Sequence, residues 1–328
     1  MKTISRNLSL CAAISVLLVS ACSKRDSKSG GVGGGAGAAL TPPAGPVELK
    51  VKWTVGRKYD FRMESTETMA GEMPGYLQPT KQIMHRSQDL TVSVLKELGN
   101  GGRQLELTFV AQKADMFQGD RKSMSFDSAQ DPSRDSLNSA ASMLRKMVGG
   151  RLQYLTDENG KVEKMEGFEP LLARAAGTNR QARGLFQQIF NQEELKRYAE
   201  FAEGMPGRPV KPGDTWPVQG EMGTPGGPVS WNLKNTFKEW AQRSDHTCVR
   251  MQFSGDLSLK SDPAGGPGGF KLENGKISGE SWFDPELGMV VDLAGEESMT
   301  LKIQDQGKTF SPKMTRQHTL TLQRVTGP

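Results

Sequence analysis

The residues best suited to proton transfer or metal ligation near neutral pH are three histidines, His85, His246 and His318. They are scattered, and no pair has a metal-ligand spacing. Each lies in or beside a strand-like stretch, where a solvated or satisfied surface role is expected. Asp127, Asp131 and Asp135 recur every fourth residue and could offer carboxylates to a calcium loop. A turn ending in a helix cap at Asp135 uses the same residues without a metal, and it is the plainer expectation. Gly307-Lys308-Thr309 copies the end of a phosphate loop, but the position that should hold its first glycine is Lys302 and no helix follows. No Gly-x-Ser-x-Gly elbow occurs. A carboxylate pair for glycoside hydrolysis is set by fold and not by spacing, and 7% aromatic residues supply few platforms for sugars. The expectation is a protein that is not an enzyme, with no catalytic residue, no metal ligand and no cofactor.

The thiols lead away from catalysis as well. Lys2 and Arg6 precede an apolar run from Leu8 to Val19. It is too short for the roughly 20 residues of a membrane-spanning helix and has the form of an export signal. The run ends in Val19-Ser20-Ala21-Cys22, which resembles the lipobox of bacterial lipoproteins. That resemblance implies a signal peptide over 1–21, cleavage before Cys22 and acylation of its thiol. Ser23-Lys24 lacks the aspartate associated with inner-membrane retention, so the resemblance also implies anchoring at the cell outer membrane, on its periplasmic face. Two or three acyl chains hold a protein stably where one does not. With Cys11 in the signal and Cys22 lipidated, Cys248 is the one thiol of the folded part. It sits in a strand-like stretch, Thr247 to Phe253, and reads as a buried small hydrophobe.

Residues 22–46 contain Gly30-Gly-Val-Gly-Gly-Gly-Ala-Gly37 and lack apolar periodicity, as a flexible tether does. The chain carries 42 basic and 37 acidic residues, a net +5. Lys2, Arg6, Lys24, Arg25 and Lys28, against Asp26, account for all but +1 of it. The excess therefore belongs to signal and tether, and no nucleic-acid partner is expected.

From residue 47 onward 38 Gly and 18 Pro in the whole chain speak for turn-rich β structure. Val47, Leu49, Val51 and Trp53 alternate with polar residues, as do Tyr59 to Met63, Leu90 to Val94 and Leu105 to Phe109, the marks of antiparallel strands with one wet face. Asn100-Gly101 suits a tight turn because both residues tolerate positive φ. Around Asp135 the period becomes helical through Leu137, Ala140, Ala141, Leu144, Met147 and Val148, and Gly149-Gly150 should stop the helix. A hairpin, 151–156 with 161–165, precedes a broken helical stretch over 169–203, and strands resume from Thr215 to Val325. The five tryptophans read as core, with Trp240 the one placed for exposure, and the methionines near 63–84 as core filling or an adaptable apolar pocket.

The expected fold class is α+β and mainly antiparallel β: a curved sheet or half-barrel with a central helical segment over about 135–203. Two duplicated β halves and one continuous sheet both fit the order of elements. The β-rich domain spans 47–328.

Pro212-Gly-Asp-Thr-Trp216, Ser125-Phe-Asp-Ser128, Gly160-Lys-Val162 and Trp282-Phe-Asp-Pro-Glu-Leu-Gly-Met289 resemble a family of bacterial lipoproteins known as a domain of unknown function. The likeness covers about 47–325, and it brings no catalytic residues. Two function classes fit. One is a non-catalytic envelope module that binds an unknown envelope component. The other is an apolar-ligand or lipid carrier of half-barrel type, and an envelope hydrolase is a distant third.

Overall fold

The computed structural model describes residues 45–328, apart from 136–138, 191, 223–228, 260–269 and 306. The signal segment, the tether up to residue 44, and Cys11, Cys22 and Leu137 lie outside the described residues. No helix among the described residues is long and apolar enough to cross a membrane.

Alternating side chains build β1 (Lys58–Gly71), β2 (Thr80–Glu97) and β3 (Arg103–Gln118), whose buried members Tyr59, Phe61, Leu90, Val92, Leu105, Leu107 and Phe109 share one face. The short β4 (Arg121–Asp127) extends the sheet beside the second half of β3, and β5 (Arg151–Thr156) pairs beside the first half. β5 turns through Asp157–Gly160 into β6 (Val162–Glu166). After the helices come β7 (Thr215–Met222), β8 (Val229–Arg243), β9 (His246–Leu259), β10 (Phe270–Asp284), β11 (Met289–Asp305), β12 (Lys308–Phe310) and β13 (Lys313–Thr326).

All recorded pairs are antiparallel, in the order β6-β5-β3-β2-β1-β13-β11-β10-β9-β8-β7, with β4 beside β3 and β12 beside β11. The last strand thus pairs with the first and joins two runs into one open curved sheet. The continuous arrangement is the one adopted. Its inner face carries one main packed cluster reaching from Leu49 to Leu322.

The helical segment lies on this inner face. Helix α1 (Ser139–Met147) buries Ala141, Met143, Leu144 and Met147, and Gly149, in the left-handed region, ends it. The stretch over 169–203 divides into α2 (Phe168–Ala176), α3 (Arg180–Ile189), α4 (Gln192–Lys196) and a 3-10 turn, Arg197–Ala199. Asn179 caps α3 by accepting the N–H groups of Gln181 and Ala182.

Two local expectations are corrected. Residues 47–53 alternate and bury Leu49, Val51 and Trp53, yet they form no ladder: Val47 bridges Val210, and Lys52 donates to Gly288 O. One-sided burial alone produces the same period of two. At Asn100-Gly101 the glycine takes positive φ and the asparagine does not; its side chain accepts the Gly102 N–H at 3.0 Å instead. The methionines divide: Met69 and Met73 fill a small satellite core with Leu301, Ile303 and Met314.

Candidate functional site

Strand register sets out a grid on the outer face of β1, β2 and β3. Arg62 stands beside Asp89 and Ala111, Glu64 beside Ser87 and Lys113, Thr66 beside His85 and Asp115. On β4, Asp127 and Ser125 continue the last two rows. These residues are the polar partners in the alternation that buries Phe61, Leu90 and Phe109, so the core fixes which way they point. They line a cavity of about 620 Å³ that opens on the outer face.

The grid is ordered by its own bonds. Arg62 holds Asp89 through two parallel hydrogen bonds of 2.7 and 2.9 Å. Thr66 Oγ1 lies 2.9 Å from His85 Nδ1. Burial works to raise the Asp115 carboxyl, but hydrogen bonds from Ser125 at 2.7 Å and Lys122 at 3.0 Å overcome it and leave the group below its ordinary value. Lys113 and Asp127 form a looser pair at 3.8 Å. Both signs of charge alternate with hydroxyls across the cradle.

A second polar row crosses the inner face. Glu67 of β1, Arg316 of β13 and Glu297 of β11 are direct register partners. Arg316 Nη2 reaches Glu67 at 2.8 Å and its Nη1 lies 3.6 Å from Glu297, which is 1% exposed. His318 stands 4.0 Å from Glu297 and is 6% exposed, so the surface role expected for it is corrected: it is a core histidine. The pattern held a signal, because His318 shares its face with Met314, Leu320 and Leu322.

The other sequence candidates separate. His246 Nδ1 meets Asp284 at 2.7 Å, and the same aspartate accepts the N–H groups of Glu286 and Leu287 in the turn before Gly288. Sequence spacing gave no sign of this pair. Cys248 lies on the same strand, two residues from His246, within reach of the Asp284 charge. Burial, reinforced by the Asp284 charge, pushes its thiol up to about 12, so no thiolate nucleophile forms there near neutral pH. Beside them Arg243 pairs with Asp292 and lies 4.5 Å over the Trp282 ring.

Asp127 accepts the Ala129 N–H, Asp131 caps the turn at Ser133, and Asp135 pairs with Arg145 at 2.6 Å. Each carboxylate faces its own partner, and no metal-ligand cluster occurs among the described residues. Asp135 is an ion-pair partner of Arg145, and residues 136–138, where the helix it was expected to cap would begin, lie outside the described residues. Gly307-Lys308-Thr309 is the turn and start of the β12 hairpin.

A profile described as a family of unknown function, DUF6263, matches residues 100–306, more than half of the chain. The chain belongs to this family. Most of the DUF6263 region is sheet: it runs from the β2–β3 turn to the end of β11. It contains the β3 and β4 walls of the cradle, while the β1 and β2 walls precede it. No curated protein matches the chain.

Among solved structures, this DUF6263 chain is similar to lipovitellin, studied for its lipid–protein interactions, at 9% identity and a TM-score of 0.44 over 84% of this chain. It spans about a quarter (26%) of the lipovitellin chain. An exported protein with a YmcC-like fold from Bacteroides fragilis is similar at 10% identity and a TM-score of 0.25, over 85% of this chain and 99% of that one. A DUF1329 family protein from Desulfovibrio piger follows at 10% identity and a TM-score of 0.15, over 80% and 85% of the two chains.

Proposed function

We propose that this DUF6263 protein is a non-catalytic cell-envelope lipoprotein, anchored through Cys22 in the outer membrane. Its β-rich domain faces the periplasm and holds a polar envelope component in the cradle of β1 to β4. One observation carries the reading: a cavity of about 620 Å³ is lined by paired charges and hydroxyls, held in place by the core-facing half of the same strands. A polar ligand replaces water at such walls by exchanging hydrogen bonds, whereas an alkyl chain would strip charged groups of water without compensation. Alternating signs favour a partner that itself carries hydroxyls, amides and both charges, such as a glycan–peptide polymer. The same lining speaks against the lipid-carrier alternative, since the inner face of the curved sheet is packed with side chains from Leu49 to Leu322.

Parallel titrations of the full chain test this. Soluble peptidoglycan fragments in one series should bind and be released by salt, and a fluorescent phospholipid in the other should not transfer. Lipid uptake without fragment binding overturns the proposal in favour of a carrier.

A further inference from the structure

Of the register rows that cross the cradle, the middle one is left open. On one side of it Arg62 and Asp89 close their row with hydrogen bonds of 2.7 and 2.9 Å. On the other side Thr66 Oγ1 stands 2.9 Å from His85 Nδ1, and Asp115 accepts Ser125 at 2.7 Å and Lys122 at 3.0 Å. The middle row runs Glu64, Ser87, Lys113, Asp127 across β1 to β4. Lys113, its side chain 56% exposed, lies 3.8 Å from Asp127, beyond hydrogen-bond length. Asp127 already accepts the Ala129 N–H. Glu64 is exposed and enters no ion pair or hydrogen bond among the described residues, and the Ser87 hydroxyl enters no hydrogen bond among them.

Glu64 and Lys113 therefore flank Ser87, two strand spacings or roughly 10 Å apart at the backbone. Their long side chains reach towards each other from outer-face positions, and the charges around them select against a ligand of one sign. A lone anion drawn to Lys113 meets Asp127 and also Asp115, whose carboxyl feels the Lys113 charge. A lone cation drawn to Glu64 meets Arg62, whose guanidinium feels the Glu64 charge. A group that carries both charges on neighbouring atoms meets the opposite sign at each end.

We propose that this middle row is the specificity-determining subsite of the cradle and takes the zwitterionic end of an amino acid. The ammonium sits on Glu64 and the carboxylate on Lys113, with the Ser87 hydroxyl beneath them. The inference rests on the polar-ligand reading of the cradle and names the part of a glycan–peptide partner that is read: a free amino-acid end on its peptide.

The test uses soluble peptidoglycan fragments whose peptide carries a diamino acid with a free amino-acid end. They are titrated into the full chain beside the same fragments N-acetylated at that amino group, and the same fragments amidated at the neighbouring carboxylate. The wild type should bind the free form about tenfold more tightly than either modified form, the share of one charge pair. Acetylation should cost nothing further in Glu64→Gln, and amidation nothing further in Lys113→Gln, because the partner of the lost charge is already gone. Both positions are exposed, so both variants should keep the melting temperature of the wild type. Equal binding of all three forms, or an acetylation penalty as large in Glu64→Gln as in the wild type, overturns the zwitterion subsite and leaves the binding function of the cradle standing. Failure of every form to bind overturns both.

Discussion

Glu200 fastens the end of the helical segment to the β5–β6 hairpin: its Oε2 accepts the backbone N–H of Val162, 38 residues away, at 2.8 Å. The other oxygen is buried without a partner. Burial is the main cause that raises this carboxyl to about 7, with the Glu203 charge adding to it and the Val162 bond opposing.

The sign of the pH effect follows. The folded chain holds the Glu200 proton up to about 7 while the unfolded chain releases it near 4.5, so stability falls as pH rises between those values. Two and a half units correspond to about 3 kcal/mol at most. Chemical denaturation from pH 4.5 to 8 should show this decline in the wild type and a flatter profile in Glu200→Gln. Parallel profiles for the two proteins would remove Glu200 as the cause.

Arg316 stands between two carboxylates in the sheet interior, so removing it leaves buried charges facing each other. Arg316→Met should cost about 3–5 kcal/mol by urea denaturation. The triple replacement Glu67→Leu, Arg316→Met, Glu297→Leu should recover most of that loss, because an apolar row of similar volume avoids the desolvation cost. A triple variant as weak as the single one would mean that the row is held for its ion pairs.

Gly288 closes the turn after Asp284 with φ of +70°, and a Cβ there would stand 2.4 Å from Lys52 Cβ. Gly307, at φ of +78°, has open space around it. Gly307→Ala should cost about 1 kcal/mol for backbone strain alone, and Gly288→Ala clearly more, of the order of 2–3 kcal/mol. Equal losses would show that the segment bearing Lys52 yields freely.

Cys248 should resist iodoacetamide at pH 8 in the folded chain and react quickly once unfolded, since its thiol is buried and raised to about 12. Fast native labelling would contradict the packing described around it.

Much of the sheet is legible in residues such as Tyr59, Phe61, Leu90 and Val92, because one wet face imposes a period of two on every long strand. β4 was not, since its two buried residues, Met124 and Phe126, stand among charges and serines and its place is fixed only by β3. Alternation also overstated residues 47–53, where the period reports burial without a partner strand. The cradle was hidden for a different reason. Arg62, Glu64, His85 and Asp115 each resemble any solvated strand face, and only register, a long-range property, places them in one grid. The inner row was masked by its types: Glu297, Arg316 and His318 sit at core positions of the alternation, where polar residues read as interruptions.

The most direct measurement is hydrogen exchange of the full chain with and without soluble peptidoglycan fragments. Protection should concentrate on the outer grid, in Arg62–Thr66, His85–Asp89 and Lys113–Asp115, and should be lost in Arg62→Glu. Protection confined to the inner face, or none at the grid while the fragments bind, would contradict a cradle for polar ligands.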